Sequence, residues 1–284
     1  MGRAKRIPYG VSDFIDIIER NQYYVDKTMY IPKLEDEPDA LFFIRPRRFG
    51  KSLFISMLRA YYDIKRKDKF DKLFGNLWIG SHPTENQGKY QVLFLDFSKI
   101  GGSIDQLEEN FNAYCNECID SFIETYQEYY PARVVENVLK AKTAARKLNA
   151  IGIAAEKKNL PLYLIVDEYD NFTNVVLNEQ GEEVYTALTH ASGFYREIFK
   201  VFKGMFSKIF MTGVSPVTLD DLTSGFNIGW HISTKPAFNQ MLGFSTEDVR
   251  GLFTYYKENG EIRPDSDVEA IIEEMKPWYD NYCF

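Results

Sequence analysis

The feature that most limits what this chain can fold into is a four-residue apolar run, Leu41-Phe42-Phe43-Ile44, that stops at Arg45-Pro46-Arg47-Arg48-Phe49-Gly50-Lys51-Ser52. A short unbroken apolar run is the pattern of a strand covered on both faces, as in a parallel sheet. Beyond the loop, Leu53, Ile55, Met57, Leu58 and Tyr61 recur at mostly helical spacing to about Asp63. The local order is therefore strand, polar glycine-containing loop, helix. Such a loop gathers amides at the start of the helix, where the helix dipole favours an anion.

The loop matches G-x-x-x-x-G-K-[S/T] at its last three positions and departs at its first, where Arg45 stands for glycine. Gly50 lets the backbone approach a phosphate with no Cβ in the way, and amides from about Phe49 to Leu53 point inward. Lys51 is expected to reach the β- and γ-phosphates of a nucleoside triphosphate, and the Ser52 hydroxyl to ligate Mg²⁺. The expected nucleotide contacts are Arg47, Arg48, Phe49, Gly50, Lys51, Ser52 and Leu53. Losing the first glycine is tolerable if Arg45 leaves the strand in an extended conformation, which Pro46 favours in the residue before it. Gly-Lys-Ser alone arises often by chance, so its weight comes from the buried strand before it and the helix after it.

Further strands are expected at residues 91–97, 160–167, 207–212 and 230–233, separated by helical stretches. Ser12 reads as the N-cap of a helix carrying Phe14, Ile15, Ile17 and Ile18, and a second short helix is expected over 27–34. A long helical region over 103–158 is expected to break near Pro131 and Gly152, with another helix over 181–204. Ser245 reads as the cap of a helix over 246–258, and 266–275 reads as one more. The alternation implies an α/β fold: a P-loop NTPase three-layer sandwich with a mainly parallel sheet, of the additional-strand ATPase type, plus a small helical C-terminal part. The expected division is an N-terminal helical segment over 1–40, a core over 41–235 with a helical insertion at about 103–158, and a helical segment over 236–284. The final residues, Trp278-Tyr279-Asp280-Asn281-Tyr282-Cys283-Phe284, make an unusual natural terminus, and a further domain is expected to follow.

Leu162-Tyr163-Leu164-Ile165-Val166-Asp167-Glu168 has the form of Walker B, an apolar strand ending in two acids. Asp167 is expected to hold the water shell of Mg²⁺ and Glu168 to polarise the attacking water as general base. Thr212, at the end of the strand over 207–212, stands where a sensor for the γ-phosphate and lytic water belongs. The expected catalytic set is Lys51, Glu168 and Thr212, with Ser52 and Asp167 on the metal. Asp170 reads as a loop acid or an N-cap. Arg47, Arg48 and Arg250 are candidate charge stabilisers between which the sequence does not decide. For the base, Tyr9 and the Tyr24-Val25-Asp26 turn are the expected contacts, because the segment before the first strand often covers it.

A net charge of −7 argues against a surface built throughout for nucleic acid, which needs a surplus of Lys and Arg. Arg3, Lys5 and Arg6 read as a solvated tail. Cys115, Cys118 and Cys283 are too few for a disulfide framework, and no secretory h-region opens the chain, so a cytoplasmic location is expected. Cys115 and Cys118 have the C-x-x-C spacing inside a helical stretch with no second pair, and read as helix thiols. His82, His190 and His231 show no ligand spacing. No apolar run reaches the roughly 18 residues needed to span a bilayer, so no membrane role is expected.

At these motifs the sequence resembles the bacterial family of predicted AAA-ATPase-like proteins. The similarity runs through Ile7-Pro8-Tyr9-Gly10 with Asp13-Phe14, Tyr24-Val25-Asp26-Lys27-Thr28, the loop from Phe43 to Ser52, Leu95-Asp96-Phe97-Ser98, Val166-Asp167-Glu168-Tyr169-Asp170, Thr212-Gly213-Val214-Ser215 and Gly243-Phe244-Ser245. In that family arginine is usual in place of the first loop glycine, so the departure becomes part of the match. The resemblance implies a P-loop ATPase core, commonly followed by a restriction-endonuclease-like nuclease domain that is expected to be absent from this chain. The leading expectation is Mg²⁺-dependent ATP binding and hydrolysis driving a conformational switch. The alternatives are a nucleotide-gated interaction module with little or no hydrolysis, working through a protein partner or self-association, and the ATPase subunit of a nucleic-acid processing protein.

Overall fold

The apolar runs form strands β1 (Ala40–Ile44), β2 (Gln91–Asp96), β3 (Leu162–Asp167), β4 (Lys208–Gly213) and β5 (Trp230–His231). The computed structural model describes residues 4–101, 106–171, 174, 176–177, 181, 194–215 and 229–279. Among these residues the strands make one five-stranded sheet in the order β2-β3-β4-β1-β5, with every pairing parallel. β4 thus lies between β1, which feeds the glycine-containing loop, and β3, which ends in Asp167. This is the additional-strand arrangement of a P-loop sandwich.

Helices cover both faces. Among the described residues they are, in chain order, α1 (Phe14–Glu19), α2 (Tyr30–Glu35), α3 (Lys51–Tyr62), α4 (Phe70–Phe74), α5 (Leu107–Thr125), α6 (Ala132–Lys140), α7 (Ala144–Lys157), α8 (Phe194–Met205), α9 (Thr246–Glu258) and α10 (Val268–Tyr279). Leu41, Phe43, Tyr163, Ile165 and Phe210 point into a core with α1 to α4. Phe42, Leu93, Leu95, Leu164, Val166, Ile209 and Met211 point into a second core with α5, α7 and α8. Because side chains alternate along a strand, the same period carries Asp96, Asp167 and Thr212 onto the α3 face at the strand ends. The register supports this, since Asp96 pairs with Asp167 across β2 and β3.

Several local expectations change. Asp13, not Ser12, caps α1, its carboxylate accepting from the Asp16 amide at 3.0 Å. The second short helix begins at Tyr30, later than expected. The helical region does break at Pro131, which stands just before α6, but Gly152 lies inside α7. A Cβ at Gly152 would come within 2.9 Å of the Met205 side chain, so this glycine lets α7 and α8 approach rather than ending a helix. The second break falls at residues 141–143, where extended backbone separates α6 from α7. Phe97 leaves the strand for a turn of 3₁₀ helix. Ser245 caps α9 with a reciprocal bond to Asp248. Cys115 and Cys118 are free thiols in α5. Residues 182–193 of the helix expected over 181–204, together with Arg3, His190 and residues 280–284, lie outside the described residues. No described helix is long and apolar enough to cross a membrane.

The turn after β3 is locked onto the end of β4. Asp170 is fully buried and accepts from the amides of Val214 at 3.0 Å and Ser215 at 2.5 Å. The Tyr169 hydroxyl donates to the Ser215 carbonyl at 2.8 Å. Both side chains lie over Gly213, where an added Cβ would come within 2.6 Å of Asp170 Oδ1 and of the Tyr169 ring. Gly213→Ala is therefore expected to lower stability by about 1–3 kcal/mol, the usual effect of overpacking, read as a lower midpoint in urea.

Candidate functional site

The loop between β1 and α3 turns through left-handed backbone at Arg48, with φ of 71°, and again at Gly50, with φ of 86°. Left-handed residues bracketing an ordinary one bring neighbouring amides toward a common point, the geometry of an anion-binding nest. A methyl at Gly50 would meet nothing within 4 Å, so glycine is favoured there by backbone angle while the space beside it stays open. Arg45 is not among the residues with positive φ. Its side chain turns into the protein, donating to the Ser233 carbonyl at 3.0 Å with the guanidinium 4.4 Å above the Phe43 ring.

Lys51 is only 4% exposed. Its amine donates to the carbonyls of Arg45 at 3.0 Å and Pro46 at 3.2 Å, and sits 3.6 Å from Glu168 Oε1. Next to it the Ser52 hydroxyl donates to Asp167 Oδ2 at 2.6 Å. The other oxygen of Asp167 accepts from the Thr212 hydroxyl at 2.5 Å and from the Glu168 amide at 3.0 Å. The loop, the acidic strand end and the end of β4 therefore meet at one carboxylate. Thr212 is buried and its hydroxyl faces Asp167, not the open cleft.

That cleft has a volume of about 280 Å³ and is lined by Arg47, Ser52, Asp96, Ser98, Asp167, Glu168 and Asn171. Glu168 has a φ of 53°, and burial pushes its carboxyl above the usual glutamate range against the opposing pull of Lys51. Asp96 turns its Oδ1 back to the Ser98 amide and hydroxyl. Asp96 and Ser98 belong to a segment with no chemistry assigned from sequence, and Asn171 was missed altogether. The legible signal for Asp96 is a second apolar strand that, like β3, ends in an acid.

Other candidates lie elsewhere. Arg250 is held by Glu269, its Nη2 donating at 3.0 Å, and by Glu247 on the same helix. Arg48 is exposed and does not line the cleft. Tyr9 is 98% exposed. Asp26 is engaged structurally, accepting from the Trp78 amide at 2.6 Å and from the Thr28 hydroxyl at 2.6 Å. Tyr24 packs edge-on against Phe14. The Tyr24-Val25-Asp26 turn thus fastens the N-terminal helices to the core.

The donor set fits a divalent cation beside a polyphosphate. A serine hydroxyl and a carboxylate within 2.6 Å of each other are hard oxygen donors, and the open nest with its lysine suits phosphate.

Burial of the Glu168 carboxyl ties stability to pH. A carboxyl held above its unfolded pKa binds its proton more tightly in the folded state, so stability falls as pH rises through the interval between the two values and stays lower above it. Glu168→Gln removes that penalty. The variant is expected to melt at a higher temperature than the wild type at pH 7, with the gap closing by about pH 4, near the ordinary glutamate value. A gap that does not change with pH would show that Glu168 is not the group responsible.

A model of the AAA-ATPase-like family, described as predicted AAA-ATPase, matches residues 8–223. The chain is also similar to an uncharacterized protein in the vnfD 5'region of Azotobacter chroococcum mcd 1, at 25% identity over 296 residues. That similarity takes in 98% of this chain and 48% of the relative, so the chain spans about half the length of the curated relative it matches. With the family model covering well over half its length, the chain belongs to the AAA-ATPase-like family of predicted ATPases.

Proposed function

We propose that this protein binds ATP with Mg²⁺ at the loop from Arg47 to Leu53 and hydrolyses it, and that the cycle switches its conformation. The observation that carries this reading is the bond from the Ser52 hydroxyl to Asp167 at 2.6 Å, which joins the loop to the acidic strand end. ATP in place of another nucleoside triphosphate is taken from the family match.

In this reading the amides after Gly50 and the Lys51 amine hold the phosphate tail, and Ser52 and Asp167 hold the cation. A Mg²⁺ held by Ser52 and Asp167 would supply positive charge to offset that of the phosphate tail. Glu168 takes a proton from a water molecule as the water oxygen bonds to the γ-phosphorus. The bond from that phosphorus to the β–γ bridging oxygen breaks, and the bridging oxygen leaves with the electron pair on the diphosphate. Burial that raises the proton affinity of Glu168 makes it a better proton acceptor for this role. Thr212 keeps Asp167 in place through its hydroxyl.

A route for the switch exists in the contacts around the loop. The Gly243 amide donates to the Phe49 carbonyl at 3.0 Å, tying the loop to the segment that opens α9. Lys27 holds Asp248 of α9 at 2.6 Å, and the Lys5 amide donates to the Tyr255 hydroxyl at 2.9 Å. In this reading, movement of the loop on phosphate binding or release would reach α9 through the Phe49–Gly243 bond and the N-terminal segment through the contacts of α9 with Lys27 and Lys5.

Lys51→Ala is expected to abolish ATP turnover, measured as phosphate release. Glu168→Gln is expected to keep ATP binding by calorimetry within a few-fold while turnover falls by about 10²–10⁴-fold, the usual contribution of a general base. Turnover equal to the wild type in Lys51→Ala would refute the assignment. Tight binding by the wild type with no phosphate release would instead leave a nucleotide-gated module.

A further inference from the structure

Three arginines are candidates to stabilise charge on a phosphoryl group, and the structure separates them. Arg250 is engaged by two glutamates on α9 and α10, and Arg48 does not line the cleft. Arg47 alone of the three lines the cleft with Ser52, Asp167 and Glu168. Its Nη2 donates at 3.5 Å to Asn171 Oδ1, and the backbone N–H of Asn171 donates to the Glu168 carbonyl at 2.9 Å. The guanidinium is thus held on the turn that carries the general base. Its charge already reaches Glu168, where it opposes the effect of burial.

The position has a chemical meaning. As the bond to the β–γ bridging oxygen breaks and water bonds to the γ-phosphorus, negative charge is spread over the equatorial oxygens and the leaving oxygen. The Lys51 amine is bound to the carbonyls of Arg45 and Pro46. Arg47 sits on the cleft wall formed with Asn171, and a planar guanidinium offers two parallel donors to adjacent phosphoryl oxygens.

We infer that Arg47 is an arginine finger supplied in cis, donating to the γ-phosphoryl oxygens in the transition state, with Asn171 as its positioning residue. The inference rests on the hydrolytic reading above and deepens it: turnover needs no arginine from a second copy of the chain.

The test uses the whole chain with ATP, with ADP, and with ADP plus aluminium fluoride, which mimics the transferring phosphoryl group. Arg47→Ala is expected to bind ATP within a few-fold of the wild type while turnover falls by about 10³-fold. Its preference for ADP–fluoroaluminate over ADP, read by calorimetry, is expected to be lost. Arg47→Lys should recover only part of both, because a point charge cannot replace the fork. Asn171→Ala should lower kcat with KM unchanged and weaken the fluoroaluminate complex less than Arg47→Ala does. Wild-type turnover per chain should not change with protein concentration.

Turnover in Arg47→Ala within two-fold of the wild type, with Lys51→Ala inactive, overturns this inference and leaves the hydrolytic reading standing. Recovery of turnover on mixing Arg47→Ala with Lys51→Ala also overturns it, since the arginine would then act between chains. A wild type that releases no phosphate brings down the hydrolytic reading and this inference together.

Discussion

Asp167 is 3% exposed, and a carboxylate that far from water must find its hydrogen-bond donors inside the protein. It finds them on α3 through Ser52, on β4 through Thr212, and on its own strand end through the Glu168 amide. Satisfying this one side chain therefore fixes the first turn of α3 over the ends of β3 and β4. An orphaned donor or acceptor in such a place costs about 1–3 kcal/mol, and more where a charge is involved. The arrangement that folding needs is also the one that a cation and a polyphosphate need. Asp170 repeats the device one turn later, holding the amides that follow β4.

Alternation along β3 poses a problem that the backbone solves. Asp167 faces α3, so a Glu168 in continued extended backbone would face the opposite layer, away from the loop. Left-handed backbone at Glu168, with φ of 53°, turns the chain so that the second acid returns to the same cleft and reaches Lys51. Non-glycine residues in this region carry about 1–3 kcal/mol of strain, and Arg48 bears the same kind on the facing loop. The bonds of Asp167 and Asp170 offset it. Strain at the two sides of one cleft fits a site whose geometry is imposed by its surroundings.

Much of this is open to a reader of the sequence because β1, β3 and β4 are buried on both faces and so appear as nearly continuous apolar runs. The additional strand followed from the same pattern at residues 207–212. What stayed hidden depends on contacts between distant segments. Gly152 looks like a break until Met205 is seen against it, and Asp170 looks like a loop acid until the amides of Val214 and Ser215 are seen donating to it. Asn171 and Ser98 reach the cleft only through the turns that follow β3 and β2. The choice among Arg47, Arg48 and Arg250 is closed to sequence for the same reason, since only the folded loop brings Arg47 to the cleft.

Arg45 shows how a departure from a motif is absorbed. In the general pattern its place belongs to glycine, whose use is a backbone that other residues reach only under strain. Here the left-handed positions are 48 and 50, so position 45 is released from that requirement and can carry a side chain. The side chain is then put to structural use. β5 pairs with β1 at only two positions, too few for a stable ladder on its own. Arg45 adds a bond to the Ser233 carbonyl at 3.0 Å, and the Ser233 hydroxyl accepts from the Ile44 amide at 2.7 Å, so the edge strand is fastened by side chains where its backbone bonds end. Restoring glycine at 45 would therefore give the loop a freedom it does not use and remove a tie that the sheet edge does.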